Sequence, residues 1–458
     1  MRRPTHRSLA LMLFALASLL VGACQASDGT TEPGDHDATP PPPPPNTEIA
    51  QRLQSSVPRE AATAPQADLD ALVQDHSAFA LWMYHAGRST LGEGENFLFS
   101  PFSISTAFAM LWPGAVGDTA DEIASMMHFA LPPERFHAAG NRLMAALEAR
   151  NAYQPGPDEG DAPILEIAND LWGLAEYPYV PTFLDLLARH YGAGMWIVDF
   201  LTEPEAARQE INKYVEGRTR GLIPELLPED SITDLTRLVL TNVIYFKGAW
   251  RFPFDDARTA PAPFTALGGV ATDVPMMTGY IDEARYAMVD GTQVVELDYV
   301  GDGLAMALIL PAPGTFASFE ADLNAEGLAG LLAAPQRMEG SLAMPRFAFE
   351  AELDLVPLFR AAGYDIPFSD GLADFSGLSE VALQEGLHVT GAFHKARIIV
   401  DEEGTEAAAA TAIVVGTESA PMETFNVRLD RPFLFVLRDR PTGAVLFLGR
   451  VVDAAAAQ

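Results

Sequence analysis

The chain has 458 residues, with 29 Lys plus Arg against 62 Asp plus Glu, which gives a formal net charge of −33 at pH 7. Such an acidic chain is a poor nucleic-acid binder, because phosphate binding requires clustered Lys and Arg, and the sequence has no basic tract for heparin or anionic lipid. The single cysteine excludes an internal disulfide and a multi-cysteine zinc site, so the fold must depend on its apolar core.

Residues 1–23 have the pattern of a bacterial export signal. Three arginines precede an apolar run over residues 9–23, which is too short to cross a bilayer core comfortably as a helix, since that takes about 20 residues. The run ends at Val21-Gly22-Ala23-Cys24, which resembles the lipobox of bacterial lipoproteins and implies that Cys24 is lipidated after cleavage. Because Gln25 and not aspartate follows the cysteine, the resemblance also implies delivery to the outer membrane. An ordinary secretory signal that happens to contain a cysteine is the alternative.

Residues 24–66 are predicted to be a disordered tether. This stretch is polar and contains six consecutive prolines at positions 40–45, which is typical of an extended, semi-rigid linker. Apolar residues recur at helical spacing from Leu69 onward, so a folded domain is predicted to start there. Because no second linker follows, residues 67–458 are predicted to form one domain that the tether holds off a membrane.

The sequence lacks the motifs of common enzyme active sites. It contains no G-x-S-x-G elbow, no H-E-x-x-H pair and no G-x-x-x-x-G-K-[ST] phosphate loop. Gly301 and Gly303 begin a pattern like a dinucleotide-binding loop, but Met306 occupies the place of its third small residue. An alternating segment precedes these glycines and an apolar run follows them, which predicts a hairpin turn. No histidine pairs at metal-ligand spacing, so we expect neither an enzyme nor a metal or other cofactor.

Three segments carry the clearest structural patterns. Residues 96–111 are typical of a strand that leads into a helix with an apolar stripe. Residues 238–250 are almost continuously apolar, which predicts a central strand covered on both faces, so Asn242 in its middle must find buried hydrogen-bond partners. Residues 400–421 give conflicting signals, because a run of alanines favours a short surface helix whereas Ile413-Val414-Val415 favours a strand. Such conflict is expected where one segment must serve two structures.

Together, these segments resemble those of serpins, the large serine-protease inhibitors that trap proteases by a change of fold. Further matches occur in the family's own order at residues 211–216, 274–277, 344–347 and 431–435, so that the resemblance covers about residues 68–452. It implies an α+β fold with three β-sheets, about nine helices and an exposed reactive-centre loop near the C-terminal end. The expected function is therefore inhibition of a serine protease.

The resemblance implies that a protease cuts the loop and that the hinge side then inserts into the central sheet before the acyl-enzyme is hydrolysed. The uncleaved fold is then metastable, and its protection is kinetic. Side chains that enter first must be small and uncharged on the buried face of the sheet. Thr405, Ala407, Ala409 and Thr411 share that face, whereas Glu406 lies on the other. The implied hinge comprises Glu402, Gly404, Thr405, Glu406, Ala407, Ala408, Ala409, Ala410, Thr411 and Ala412.

Two further groups of residues match the family's pattern. The breach, at the top of the central sheet where insertion begins, comprises Trp250 and Arg346, and Arg346 matches an ion pair with Glu402. If it is partly exposed, such a pair contributes only about 0–1 kcal/mol to stability. Beneath the sheet lies the shutter cluster, whose hydrogen bonds must part as the loop strand enters. The shutter cluster comprises Ser100, Ser103, Asn242 and His394.

The reactive bond is predicted by counting along the loop. In the family it usually follows the seventeenth residue from the hinge glutamate, and counting from Glu402 selects the bond Glu418-Ser419. A shift of one residue would select Thr417 or Ser419. A glutamate there implies a protease with a cationic or hydrogen-bonding pocket, such as a glutamyl endopeptidase or a granzyme-like enzyme, whereas caspase-like proteases prefer aspartate. A subtilisin-like enzyme with loose preference would cut at Val415 or Thr417 instead.

The leading hypothesis is a monomeric inhibitor in the bacterial cell envelope, whose partners are a target serine protease and, through Cys24, a membrane. Under the alternative signal, the inhibitor would be secreted. A non-inhibitory serpin, whose loop is cut without trapping anything, is a second hypothesis that the small hinge residues disfavour. A surface hydrolase is the third, disfavoured by the missing nucleophile motifs. We expect no nucleic-acid partner and no heparin-type activation, because basic clusters are absent.

Overall fold

The computed structural model describes residues 49–156, 159–301, 303–406 and 424–458. Within these ranges the chain forms nine α-helices, and none of them is long and apolar enough to span a membrane. The helices are α1 Gln66–Ser89, α2 Pro101–Leu111, α3 Asp118–Met126, α4 Pro133–Glu148, α5 Pro181–Tyr191, α6 Pro204–Arg218, α7 Phe316–Asp322, α8 Ala325–Ala333 and α9 Leu355–Ala361.

The same ranges contain the strands of three β-sheets, so the expected α+β fold with three sheets and about nine helices is confirmed. The strands are β1 Ala50–Leu53, β2 Phe97–Phe99, β3 Ile164–Leu174, β4 Met195–Val198, β5 Leu238–Ala249, β6 Ala260–Thr265, β7 Ala271–Ile281, β8 Arg285–Val289, β9 Thr292–Asp298, β10 Leu304–Leu310, β11 Gln336–Arg337, β12 Gly340–Pro345, β13 Phe347–Asp354, β14 Gly391–Val400, β15 Gly404–Thr405, β16 Phe425–Arg428, β17 Phe433–Asp439 and β18 Ala444–Val451.

The central sheet has the strand order β1-β4-β3-β5-β15-β14-β13. Its longest ladder joins residues 164–173 of β3 to residues 238–247 of β5 in antiparallel register. Every residue of β5 is buried, as its continuous apolar pattern predicts for a strand covered on both faces. β5 also pairs with β14 in parallel register, but only over residues 239–242 and 391–394.

The two other sheets have the strand orders β11-β8-β9-β10-β17-β18-β2 and β16-β12-β7-β6. β9 and β10 are antiparallel neighbours, so Gly301 and Gly303 lie in the hairpin connection predicted from the sequence, and Gly301 has φ +98°. Strand β16, which follows the segment 407–423, is an edge strand paired in parallel with β12. The two sides of that segment therefore connect to different sheets, β15 to the central sheet and β16 to the four-stranded one.

Helix α2 packs beneath the central sheet against β3 and β5, and all its residues are buried. Ser100 begins this helix as its N-cap, with Oγ accepting a hydrogen bond from Ser103 N at 3.1 Å, and Pro101 occupies the first helical position. The preceding β2 pairs with β18. The strand-to-helix pattern predicted for residues 96–111 is therefore confirmed, and it places Ser100 and Ser103 under the sheet.

The folded part of the chain begins earlier than the sequence pattern predicted. Residues 50–53, assigned above to the disordered tether of residues 24–66, form β1, which pairs antiparallel with β4. Residues 54–65 then continue across α5 and α4 to the start of α1. An edge strand of four residues with Gln51 and Arg52 exposed needs no apolar run, which is why a polar composition concealed it. The predicted signal sequence and Cys24 lie outside the described residues.

Candidate functional site

The breach residues lie together at the end of the central sheet where β15 enters it. Arg346, between β12 and β13, donates from Nε to both carboxylate oxygens of Glu402, at 2.6 Å to Oε2 and 2.8 Å to Oε1. Thr259 donates a further hydrogen bond to this carboxylate. Glu402 is almost fully buried, whereas the Arg346 side chain is 42% exposed. Because one partner is buried, loss of Arg346 would leave a poorly compensated charge, and the pair differs from an ordinary surface ion pair.

Glu402 is the middle residue of an acidic turn, residues 401–403. Burial alone would raise the pKa of Glu402, but hydrogen bonds from Arg346 and Thr259 outweigh burial and hold that pKa below its ordinary value. Burial raises the pKa of the adjacent Glu403, and the nearby carboxylate of Asp401 raises it further. The arginine therefore stabilises the charge of one acid in this turn, and the acids around it are less easily ionised.

Trp250 holds the same turn from the other side. Its indole Nε1 donates to the carbonyl of Asp401 at 3.0 Å, and its backbone N–H donates to the carbonyl of Glu403 at 2.8 Å. The indole ring stacks on Tyr299, with 4.5 Å between ring centroids and 16° between planes. The Tyr299 hydroxyl hydrogen-bonds the Thr405 hydroxyl at 2.6 Å. Tyr299 was not predicted from the sequence, but it belongs to this site because it joins the breach to the hinge.

The first hinge residues already form part of the central sheet. Gly404 and Thr405 form β15, which pairs antiparallel with Ala249 and Gly248 of β5, and Thr405 also pairs with Val400 of β14. A Cβ atom at position 404 would lie 2.1 Å from the carbonyl oxygen of Gly248, so only glycine allows this approach. Thr405 is 3% exposed. The strand that enters between β5 and β14 is thus begun, with its first side chain buried.

Glu406 is the last described residue on this side of the loop. Its backbone has φ +51°, and its N–H donates to the carbonyl of Ile399 at 3.1 Å. Burial raises the pKa of Glu406 to about 7, and the charges of Lys247 and Arg397 only partly oppose this. Its side chain lies on the opposite face of the sheet from Thr405, where these cations are found. The remaining hinge residues and the predicted reactive bond lie outside the described residues: Ala407, Ala408, Ala409, Ala410, Thr411, Ala412, Glu418 and Ser419.

The four shutter residues form one fully buried network beneath the sheet. Ser100 N donates to His394 Nε2 at 3.0 Å, and His394 Nδ1 lies 2.7 Å from Asn242 Oδ1. Because a backbone N–H can only donate, Nε2 must accept, and the ring proton on Nδ1 donates to Asn242. Burial lowers the pKa of His394 to about 3, and the hydrogen bond with Asn242 offsets only part of this. The imidazole is therefore neutral at pH 7 and links α2 to β14 and β5.

Asn169 on β3 is a member of this network that the sequence analysis missed. Ser103 Oγ donates to its Oδ1 at 2.7 Å, and Asn169 lies directly opposite Asn242 in the β3–β5 ladder. An asparagine inside a segment rich in apolar residues, directly after Ile167 and Ala168, was the available signal. Among the described residues, neither Asn169 Nδ2 nor Asn242 Nδ2 has a hydrogen-bond partner. Two buried donors are therefore unpaired at the level where β5 and β14 meet.

The described part of the chain contains no group of three or more His, Cys, Asp or Glu side chains placed to hold a metal ion. Along the junction of β5 and β14, β15 with Thr405 lies at one end and the paired residues Asn242 and His394 lie at the other. This arrangement provides a place for strand addition.

Comparison with known proteins agrees with this geometry. The chain matches the family described as Serpin (serine protease inhibitor) over residues 74–454. It is 34% identical to antithrombin-III of Homo sapiens over 452 residues, which covers 96% of each chain. It is also 34% identical to the leukocyte elastase inhibitor of Homo sapiens over 397 residues, 83% of this chain and 99% of the relative. The structure of uncleaved ovalbumin matches with a TM-score of 0.71 at 26% identity, covering 83% of this chain and 99% of ovalbumin. Because the family match spans most of the chain, the protein belongs to the serpin family.

Proposed function

We propose that this serpin inhibits a serine protease as a suicide substrate, by inserting its cut loop between β5 and β14. The observation that carries the proposal is a slot in the central sheet. β5 and β14 pair directly only up to Asn242 and His394, and residues 243–247 and 395–399 have no ladder with each other in the described structure. β15 fills the top of this slot. A strand that is begun but not completed is the arrangement required for strand addition.

The register of β15 predicts where each later hinge residue would lie. Thr405 is opposite Gly248 and Val400, and both pairings are antiparallel. In the proposed inserted form, continuing both ladders would put Ala407 beside Phe246 and Ile398, Ala409 beside Ile244 and Ala396, and Thr411 beside Asn242 and His394. These neighbours are buried, so only small uncharged side chains fit the inner face.

Cleavage supplies the freedom that insertion needs. Before the cut, the chain that leaves β15 must return to Phe425 in the four-stranded sheet, which limits how far it can enter the slot. In the proposed reaction, the protease serine attacks the carbonyl carbon of Glu418, the peptide C–N bond breaks, and the amine of Ser419 leaves with a proton. The ester formed with Glu418 then moves with the inserted strand. The burial of apolar surface and the new backbone hydrogen bonds drive this step faster than water hydrolyses the ester.

A relative named as an inhibitor and the composition of the hinge support inhibition over a purely binding role. The leukocyte elastase inhibitor, 34% identical over 397 residues, is named for inhibition of leukocyte elastase. The hinge of the present chain carries no proline and no inward-facing charge from Thr405 to Ala412. A glutamate at position 418 favours a target with a cationic or hydrogen-bonding pocket.

The test uses the chain from residue 24 onward with Cys24→Ser, referred to below as the soluble chain. It is incubated with a glutamyl endopeptidase, a subtilisin and a chymotrypsin-like protease, and the products are analysed on denaturing gels and by mass spectrometry. We expect a denaturant-resistant complex with at least one protease and release of a peptide that begins at Ser419. The same protease with its catalytic serine changed to alanine must give no complex.

Cleavage within residues 415–419 without any covalent complex would contradict the proposal that the protein is an inhibitor. It would favour the alternative of a non-inhibitory serpin. A covalent complex with release of a peptide that begins at another residue would support the proposed mechanism but would show that the reactive bond is not Glu418-Ser419. Turnover of the protease's own substrates by the serpin would indicate a hydrolase.

We also propose that lipidation of Cys24 anchors the protein in the cell envelope. The support is the apolar run that ends in a small-residue sequence before the chain's only cysteine. Expression of the full chain in a bacterium should place it in the membrane fraction, and Cys24→Ser should move it to the soluble fraction. If the full chain and its Cys24→Ser variant were distributed equally between the membrane and soluble fractions, the proposed lipid anchor would be rejected. The inhibitor proposal would be unaffected.

A further inference from the structure

The strap, defined here as residues 49–65, extends the central sheet by one edge strand. Its β1 pairs antiparallel with β4, from Ala50 opposite Val198 to Leu53 opposite Met195. A Cβ atom at Gly194 would lie 2.3 Å from the carbonyl oxygen of Leu53, so the residue that precedes β4 must be glycine for the strap to dock. The glycine at this position of the sheet edge therefore allows the strap to pair with β4.

The strap is next fastened to two helices. Ser55 Oγ donates to Asp185 of α5 at 2.5 Å. Arg59 donates from Nε to Asn141 of α4 at 2.8 Å and forms an ion pair with Glu148 at 2.8 Å. Asn141 is buried, and its amide donates back to the strap at the carbonyl of residue 60. These contacts come from both backbone and side chains, so they fix the path of the strap across α5 and α4.

The strap ends where the body of the domain begins. The carbonyl of Ala64 accepts a hydrogen bond from Arg142 at 2.6 Å, and Pro65 is the N-cap of α1. Helix α1 packs against α2 and β18, which lie outside the central sheet. One end of the strap thus belongs to the central sheet, and the other continues into a helix of the core.

This position matters because β1, β4, β3 and β5 are joined by continuous ladders into one half of the central sheet. The other half is β14 and β13, and full insertion of a strand must move the halves apart. Arg52 of the strap lies over the ring of Trp196, which stacks on Trp172 at 5.5 Å. Trp172 Nε1 donates to Thr241 on β5 at 2.9 Å, next to the shutter residue Asn242. Packed side chains therefore connect the strap to the strand that must move.

We propose that the strap is a built-in bracket that holds the β1–β5 half of the central sheet against α4 and α1 and so slows loop insertion before cleavage. The proposal rests on the loop insertion argued above, because insertion is the step that the bracket opposes. When the halves separate, β1 must either move with β4 and strain the contacts of Ser55 and Arg59, or leave β4. In both cases the strap's contacts stabilise the uninserted fold more than the inserted one, which raises the barrier to insertion.

The primary test displaces the strap without altering it. Gly194→Ala in the soluble chain introduces a methyl group where the Leu53 carbonyl lies, whereas Gly330→Ala on α8 meets no atom within 4 Å and is the matched control. The rate of conversion of the uncut protein to the inserted form is followed through the appearance of a species that unfolds at markedly higher temperature. We expect Gly194→Ala to convert at least about tenfold faster than Gly330→Ala, because a lost contact worth about 1.4 kcal/mol changes a rate tenfold.

A second pair of variants and a peptide keep the test independent of that one position. Arg59→Ala removes two strap contacts, and Arg337→Ala removes a distant exposed ion pair with Glu283 as its control. A synthetic peptide of residues 49–65, added in excess to the soluble chain carrying Arg59→Ala, should slow conversion again. The same peptide with Arg52→Ala and Arg59→Ala should not.

Conversion at equal rates in Gly194→Ala and Gly330→Ala, together with equal rates in the arginine pair, would overturn the bracket. Because the readout is thermal and uses no protease, it separates the two proposals. Faster conversion without any covalent complex would support the role of the strap and reject the proposal that the protein is an inhibitor. Efficient trapping of the protease with unchanged conversion rates would support the inhibitor proposal and reject the role of the strap.

Discussion

His394 and Asn242 face each other across β14 and β5 at the last rung where these strands pair directly, and one hydrogen bond of 2.7 Å joins their side chains. The same imidazole accepts the N–H of Ser100 at the start of α2. This single side chain therefore satisfies groups on a helix and on the neighbouring strand. Below this rung the sheet is closed, and above it lies the slot.

His394→Leu should destabilise the protein by removing a partner from Ser100 N and from Asn242. Each buried polar group left unpaired costs about 1–3 kcal/mol, so with two such groups we expect a loss of about 2–6 kcal/mol in the free energy of unfolding. The measurement is the first unfolding transition in urea. Ser105→Ala is the control, because the Ser105 hydroxyl is buried without a hydrogen-bond partner among the described residues, and its removal should be neutral or slightly stabilising. Equal losses in the two variants would show that the shutter hydrogen bonds do not stabilise the closed sheet.

Under the proposed mechanism, Thr405→Arg should convert the protein from an inhibitor into a substrate of the protease. Thr405 is 3% exposed and hydrogen-bonds Tyr299, so an arginine at this position would have to bury its charge without a partner. We expect β15 to leave the sheet and the protease to cut the loop and escape. The fraction of protease trapped as a covalent complex should fall at least about tenfold, since burial of an unpaired charge costs several kcal/mol.

The control for this variant places a charge on the opposite face of the same strand. In the proposed inserted strand, a continued β15 register would put Ala408 opposite Arg397, on the same face as Glu406. Ala408→Glu should therefore retain trapping. If Ala408→Glu lost trapping as severely as Thr405→Arg, the alternation that underlies the proposed insertion would be wrong.

Three features could be predicted from the sequence, because each depends on a local pattern or a matched motif. They are strand β5, helix α2 and the shutter cluster. The continuous apolar run of β5, rich in β-branched and aromatic residues, favours a buried strand. The Ser-Pro start of α2 supplies both a cap and a first helical residue. Asn242, placed within such a run, was expected to be hydrogen-bonded, and His394 bonds its Oδ1 atom.

The sequence did not predict the roles of Tyr299 and Asn169 or the structure of the strap, for different physical reasons. Tyr299 meets Thr405 across 106 positions of sequence and Asn169 meets Ser103 across 66, so no local pattern records either contact. β1 is an edge strand that pairs through its backbone, next to a glycine that precedes the facing strand, and it needs few apolar side chains. A polar composition therefore predicted a linker where the chain forms a strand.

Glu402→Gln should remove stability that depends on pH. The pKa of Glu402 is held below its ordinary value, so the unfolded chain takes up a proton more readily than the folded one. The stability due to its charge is therefore complete above the ordinary pKa and is lost as pH falls through the folded pKa. We expect the variant to be less stable than the parent by about 1–3 kcal/mol at pH 7 and the difference to shrink at acid pH.

Urea unfolding of both proteins between pH 7 and pH 3 checks this expectation. The control is Arg258→Ala, because Arg258 and Asp255 form a pair in which both side chains are more than 60% exposed. Such a pair contributes at most about 1 kcal/mol. A stability difference for Glu402→Gln that stays constant with pH would mean that its packing, and not its charge, supports the breach.

Buried histidines should make the protein sensitive to mild acid. Burial lowers the pKa of His76 to about 4, that of His137 to about 3 and that of His394 to about 3. Each is neutral when folded and would take up a proton on unfolding below its ordinary pKa, so stability is complete above that value and declines as pH falls toward the folded pKa. One such group lowers the free energy of unfolding by about 1.4 kcal/mol per pH unit in that window.

His76 offers the cleanest test, because it lies in a small apolar pocket with Leu72 and Phe102, and its Nδ1 has no partner among the described residues. His76→Leu should reduce the stability lost between pH 7 and pH 5 by about 2 kcal/mol relative to the parent, as expected for one histidine fewer. Met144→Leu is the matched control, because it alters the packing of the same pocket without removing a titratable group. Urea unfolding at both pH values gives the slope for each protein. If His76→Leu and Met144→Leu showed the same slope as the parent, acid sensitivity would have to arise elsewhere than at His76.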